Sequence, residues 1–83
     1  MYQILLTGSA ERHLDKLEAT VFRRIDSAIL ALANDPRPSG CKKLRGQAGI
    51  WRIRIGTYRV LYKVDDAQNQ VTVVGVLHRR EAY

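Results

Sequence analysis

The stretch Trp51-Arg52-Ile53-Arg54-Ile55-Gly56-Thr57-Tyr58-Arg59-Val60-Leu61-Tyr62 reads as a β-hairpin, and its register decides the rest of the fold. Strict alternation puts Trp51, Ile53 and Ile55 on one face and Arg52 and Arg54 on the other. Gly56-Thr57 suits a two-residue type II′ turn, which pairs Ile55 with Tyr58 and sets Arg54 opposite Arg59. Arg52 then faces Leu61, and Tyr58, Val60 and Tyr62 join the apolar face. A slip of one residue would bury the arginines and expose Trp51 and Tyr62, so the register is strongly specified. Like charges set directly opposite each other destabilise a sheet. Three arginines gathered with no carboxylate nearby in sequence are therefore expected to hold an anion, such as a phosphate, on a sheet face left uncovered. A wet face whose arginines only discourage edge pairing is the plainer alternative.

Towards the N-terminus, Tyr2, Ile4 and Leu6 alternate with Gln3, Leu5 and Thr7, a short strand. Ser9 is the expected cap of a helix beginning at Ala10, with Ala10, His13, Leu14 and Leu17 on its apolar stripe. Glu18-Ala19 reads as a tight connection and Thr20 as the cap of a second helix, whose stripe is Val21, Ile25, Ala28, Ile29 and Leu32. Asn34-Asp35-Pro36 ends it. Residues 37–49 form a loop with a short strand near Leu44. After Tyr62 come a polar turn over residues 65–69 and a valine-rich strand over 71–78. The order β-α-α-β-β-β predicts an α+β domain: an N-terminal strand, a helical hairpin, then a three- to four-stranded antiparallel sheet with the helices on one face. With 83 residues and no linker, one domain spans 1–83.

Charge is concentrated where the hairpin lies. The chain holds 14 Lys and Arg against 8 Asp and Glu, net +6, and ten of the bases are arginine. Residues 37–63 carry eight bases and no acid, while the segments on either side are each slightly acidic. Arginine's planar fork suits bidentate contact with phosphate, so the partner is expected to be a nucleic acid or an acidic protein. No apolar run approaches the roughly 20 residues that span a bilayer, and no signal-peptide pattern opens the chain, so a cytoplasmic protein away from membranes is expected. One cysteine, Cys41, cannot form an internal disulfide, and no His, Cys or Asp group has metal-ligand spacing, so no metal or cofactor is expected. His13, on an apolar stripe, reads as a core-edge histidine. His78-Arg79-Arg80 and Tyr83 add groups able to move protons and stabilise charge at a phosphodiester.

Lys43-Leu44-Arg45-Gly46, the hairpin, and Val76-Leu77-His78-Arg79-Arg80-Glu81-Ala82-Tyr83 together resemble the RelE/ParE superfamily of toxins from type II toxin–antitoxin systems, across the whole chain. The short helical hairpin is similar to the RelE branch. That resemblance implies a ribosome-dependent mRNA endoribonuclease, an mRNA interferase acting on mRNA in the ribosomal A site. Metal-free 2′-OH attack on the scissile phosphate would leave a 2′,3′-cyclic phosphate and a 5′-OH. By position it implies catalytic roles for Arg52, Arg54, Arg59, Arg79 and Tyr83, with Arg59 at the transition state. Lys42, Lys43, Arg45, Lys63 and Arg80 are the expected RNA-binding residues. Arginine does not give up its proton, so Arg52 and Arg54 are not general bases; His78 is the first candidate and Tyr83 the second. The implied partner is a cognate antitoxin with a flexible segment that folds on binding. Direct reading of DNA is not expected of this chain. A ParE-like inhibitor of DNA gyrase and a catalytically weak basic domain that binds RNA or antitoxin are the alternatives.

Overall fold

The computed structural model describes residues 1–80. Strand β1 (Gln3–Leu6) leads into helices α1 (Gly8–Asp15) and α2 (Ala19–Ala31), followed by β2 (Lys42–Lys43), β3 (Trp51–Ile55), β4 (Tyr58–Asp65) and β5 (Gln70–His78). They form one five-stranded sheet in the order β1-β5-β4-β3-β2. It is mixed rather than purely antiparallel. The helical hairpin carries the chain across the sheet, and β1 thereby lies parallel beside β5, while every other pair is antiparallel.

Both helices start earlier than their hydroxyl residues suggested. Thr7, not Ser9, caps α1: its Oγ1 accepts the Ala10 N–H at 3.2 Å. Glu18, not Thr20, caps α2, its carboxylate accepting the Thr20 N–H at 2.8 Å. That bond holds the Glu18 carboxyl below its usual range. The apolar stripes fall as the sequence indicated. Ala10, Leu14, Ile25, Ile29 and Leu32 pack against Ile53, Val60, Tyr62, Val71, Val73 and Val76 as the buried core. Tyr62 is fully buried and donates its hydroxyl to Pro36 O at 2.8 Å, and burial pushes its phenol pKa up. No described helix is long and apolar enough to cross a membrane.

One irregularity in the sheet matters for the site. Leu61 pairs with Gly75 but Tyr62 pairs with Val73, so Val74 is bulged out of β5. α1 and its cap serve the polar groups around the bulge: the Thr7 hydroxyl donates to Val74 O at 3.3 Å, and His13 Nδ1 accepts the Val76 N–H at 3.1 Å. His13→Ala would strand a partly buried N–H, so we expect a loss of about 1–3 kcal/mol in urea unfolding. An unchanged midpoint would show that water replaces the imidazole.

A second tie lies at the far end of the sheet. Asp66, in the turn after β4, takes two hydrogen bonds from the Arg37 guanidinium (3.2 and 2.7 Å) and one from the Tyr2 hydroxyl (2.6 Å). Arg37 first and Tyr2 second hold its carboxyl at about 2, below the ordinary 3.8. The folded state thus favours the carboxylate. Its contribution to stability is complete above the unfolded pKa near 4 and is lost as pH falls through about 2. Urea titrations between pH 5 and 2 should show wild type losing stability more steeply than Asp66→Asn; parallel curves would contradict the assignment.

Candidate anion-binding site

The hairpin register is the one its sequence dictates: Ile55 pairs with Tyr58, Arg54 with Arg59, Ile53 with Val60, Arg52 with Leu61 and Trp51 with Tyr62. Gly56 takes φ +59°, a conformation that disfavours side chains, so the tight turn depends on glycine here. Around it lies a cavity of about 230 Å³ lined by Arg54, Gly56, Thr57, Tyr58, Arg59 and Arg79. The Arg79 N–H donates to Thr57 O at 2.7 Å, which fastens the chain leaving β5 to the turn. Three arginines from three separate segments thus line one concavity, and among the described residues no carboxylate lines it.

Arg52 departs from expectation. It stands on the face away from the helices, but only 8% of it is exposed, and its buried Nε has no hydrogen-bond partner. Ile50, two residues earlier on the same face, is buried too and lies outside the helix-side core, so this second face has a covered patch of its own. A buried guanidinium N–H without an acceptor is costly. Nearby, Arg59 is half-buried, and desolvation first, then the charges of Arg54 and Arg52, holds its pKa below the ordinary range. The neighbouring charges of Arg54 and Arg52 that lower the Arg59 pKa are of the sign that a bound anion offsets.

The other sequence-expected residues divide between the two faces. Cross-strand partners share a face, so Lys42 joins Arg52 and Leu61 on the arginine side. Lys43 pairs with Trp51 on the helix side, its ammonium 5.4 Å from the indole centroid, with the Arg37 guanidinium at 5.3 Å. Lys63 follows Arg59 four residues along the same face and is exposed. Arg45 is exposed in the loop before β3. His78 pairs with Tyr58 and meets its ring edge-to-face at 5.2 Å, which puts it on the helix side, across the sheet from Arg54 and Arg59. Its Nδ1 accepts the N–H of the exposed Arg80 at 3.2 Å. Tyr83 lies outside the described residues.

Sequence reasoning missed two contributors. Tyr58, read only as a core residue, lines the cavity. Arg24 of α2 reaches the turn: a Cβ placed on Gly56 would lie 3.5 Å from its guanidinium. Nothing local in sequence joins residue 24 to residue 56, so only the tertiary fold brings this further cation to the rim.

Comparison with known proteins places the chain in a family and a fold. Residues 4–83 match the family model described as ParE toxin of type II toxin–antitoxin system, parDE. Toxin RelG of Mycobacterium tuberculosis is 34% identical over 83 residues, 99% of this chain and 95% of that protein. The RelBE2 toxin–antitoxin complex from the same organism contains a chain that superposes with a TM-score of 0.83 at 34% identity, covering 94% of this chain and 98% of that one. The isolated E. coli RelE toxin superposes with a TM-score of 0.80 at 26% identity, covering 99% and 95%. The family match over nearly the whole chain and the shared fold establish the lineage: this chain is a member of the RelE/ParE superfamily of type II toxin–antitoxin toxins.

Proposed function

We propose that this toxin is an mRNA endoribonuclease acting in the cytoplasm on mRNA in the ribosomal A site. The observation that carries the reading is the cavity in which Arg54, Arg59 and Arg79 converge with no carboxylate among the described residues, beside Arg52, whose buried Nε has no hydrogen-bond partner. Such a site suits a phosphodiester whose negative charge grows as a 2′-oxygen attacks phosphorus. Arg59, flanked by the two strand arginines, stabilises the phosphorane, Arg79 holds a non-bridging oxygen, and Arg52 contributes field from beneath. The 5′-oxygen leaves with a proton, giving a 2′,3′-cyclic phosphate and a 5′-OH, and arginines and proton donors alone suffice for this without a metal.

Proton transfer falls to His78 and Tyr83. His78 faces the helices, across the sheet from Arg54 and Arg59, with its Nδ1 accepting from Arg80, so its part in proton transfer runs through bridging water rather than by direct contact with the phosphate. The 2′-OH proton goes to Tyr83 as its phenolate, and water supplies the proton taken up by the leaving 5′-oxygen. Lys42, Arg45, Lys63 and Arg80 guide the RNA backbone, while Lys43 sits against Trp51 and contributes less.

The partner that restrains the toxin is a cognate antitoxin, as in the complexes formed by its relatives. Among the described residues β2 pairs only with Trp51 and Arg52, so no strand lies beside the rest of β3's outer edge. An open groove of about 500 Å³ there combines Ala28, Ile53 and Ile55 with Lys42, Arg52 and Arg54, which suits an acidic amphipathic segment folding on contact. Inducing the protein in bacteria and mapping mRNA 5′ ends by primer extension tests the reading. Cuts inside translated codons, absent with Arg59→Ala, are expected. Intact mRNA together with blocked gyrase supercoiling would transfer the protein to the ParE-like class, although α1 and α2, at 8 and 13 residues, form a short hairpin.

A further inference from the structure

A second hollow, of about 290 Å³, lies between α1 and the sheet and is lined by His13, Lys16, Leu17, Tyr58 and Val76. The cleavage chemistry above makes no use of it. Tyr58 lines this hollow and the arginine cavity alike, so one side chain separates the two. The bond from the Val76 N–H to His13 Nδ1 fixes the tautomer and leaves Nε2–H as the imidazole's donor. Lys16 is exposed, and its ammonium swings on a flexible stem. Leu17 and Val76 supply apolar wall, Tyr58 supplies an aromatic one, and among the described residues no carboxylate lines the hollow. A donor and a cation beside an aromatic platform match the chemistry of one nucleotide, a phosphate with a base attached. Arg24, beside Gly56, keeps the rim of the neighbouring cavity positive as well.

We propose that this hollow is a second RNA subsite: Lys16 and the Nε2–H of His13 hold the phosphate next to the scissile one, and the nucleotide between them packs on Tyr58. This rests on the RNA-cleaving reading and extends it to residues of α1. The strand of RNA passes round the end of the hairpin, from the arginine face to the helix face, with Tyr58 at the crossing.

NMR titration of the isotope-labelled protein with 2′-O-methyl oligoribonucleotides reads binding alone, because the blocked 2′-oxygen cannot attack. The probes are a dinucleotide, with one internal phosphate, and a trinucleotide, with two. Wild type should bind the trinucleotide more tightly, with His13 and Lys16 resonances moving only in that titration. Lys16→Gln, at an exposed position that leaves the fold intact, should weaken trinucleotide binding about tenfold and leave the dinucleotide unchanged. Its log–log salt slope should fall by about 0.7, the value of one single-strand phosphate. If Lys16→Gln binds both probes as wild type does while Arg59→Ala weakens both, the subsite is overturned and the cleavage reading stands. If Arg59→Ala also leaves both unchanged, both are overturned.

Discussion

Arg59→Ala should reduce RNA cleavage by about 10²–10³-fold, the usual effect of removing one preorganised donor from a site of developing negative charge. The fold should survive, with a thermal midpoint within a few degrees of wild type. The physical reason is the pairing of Arg59 with Arg54 across the hairpin. Arg59 is only half-buried and lies outside the helix-side core, and like charges set opposite each other subtract from stability. Lowering of the Arg59 pKa by burial and by Arg52 and Arg54 expresses the same strain from the side of the charge. A phosphate entering between them converts repulsion into attraction, so binding strengthens as charge accumulates in the transition state. The measurement is a single-turnover cleavage assay beside a thermal melt. Retained cleavage would remove Arg59 from the chemistry, and a collapsed melt would make it a structural residue instead.

Arg52→Met is expected to act on stability in the opposite sense to most core substitutions. Arg52 is 8% exposed and its buried Nε has no hydrogen-bond partner, so the folded chain bears a largely buried cation with one donor left unsatisfied. Methionine keeps an unbranched apolar stem and discards the charge. Exchanging buried ions for apolar groups of similar size commonly stabilises by about 1–4 kcal/mol. In a domain of this size, about 1 kcal/mol corresponds to about 4–8 °C in the midpoint. The variant should therefore melt at least about 4 °C higher and bind RNA more weakly. Gain of stability with loss of binding is the signature of a residue kept for an anion. A midpoint that falls by several degrees would mean that the guanidinium is satisfied in solution and the strain argument is wrong.

Much of this site was legible in the hairpin alone. Gly56-Thr57 and the alternation from Trp51 to Tyr62 admit one sensible register, and the sheet adopts it. What local sequence could not supply came from contacts between distant segments. Arg52 shares its face with Arg54, as its parity requires, but its burial beside Ile50 depends on how the preceding loop folds back. Arg24 reaches Gly56 only because α2 packs over the sheet. His78 is the clearest case. Counting from Val71 and Val73 in steps of two would put His78 on the arginine face, next to the phosphate. The bulge at Val74 shifts that parity by one, so Val76 and His78 turn towards the helices. Polar partners from Thr7 and His13, more than 60 residues away in sequence, hold the bulge in place, and no periodicity reveals them.

The most direct test of the central claim is the chemistry of the cut ends. Purified toxin added to ribosomes programmed with a defined mRNA should leave a 2′,3′-cyclic phosphate upstream and a 5′-OH downstream, at a position within the A-site codon. Intact mRNA, or ends carrying a 5′-phosphate, would contradict the account.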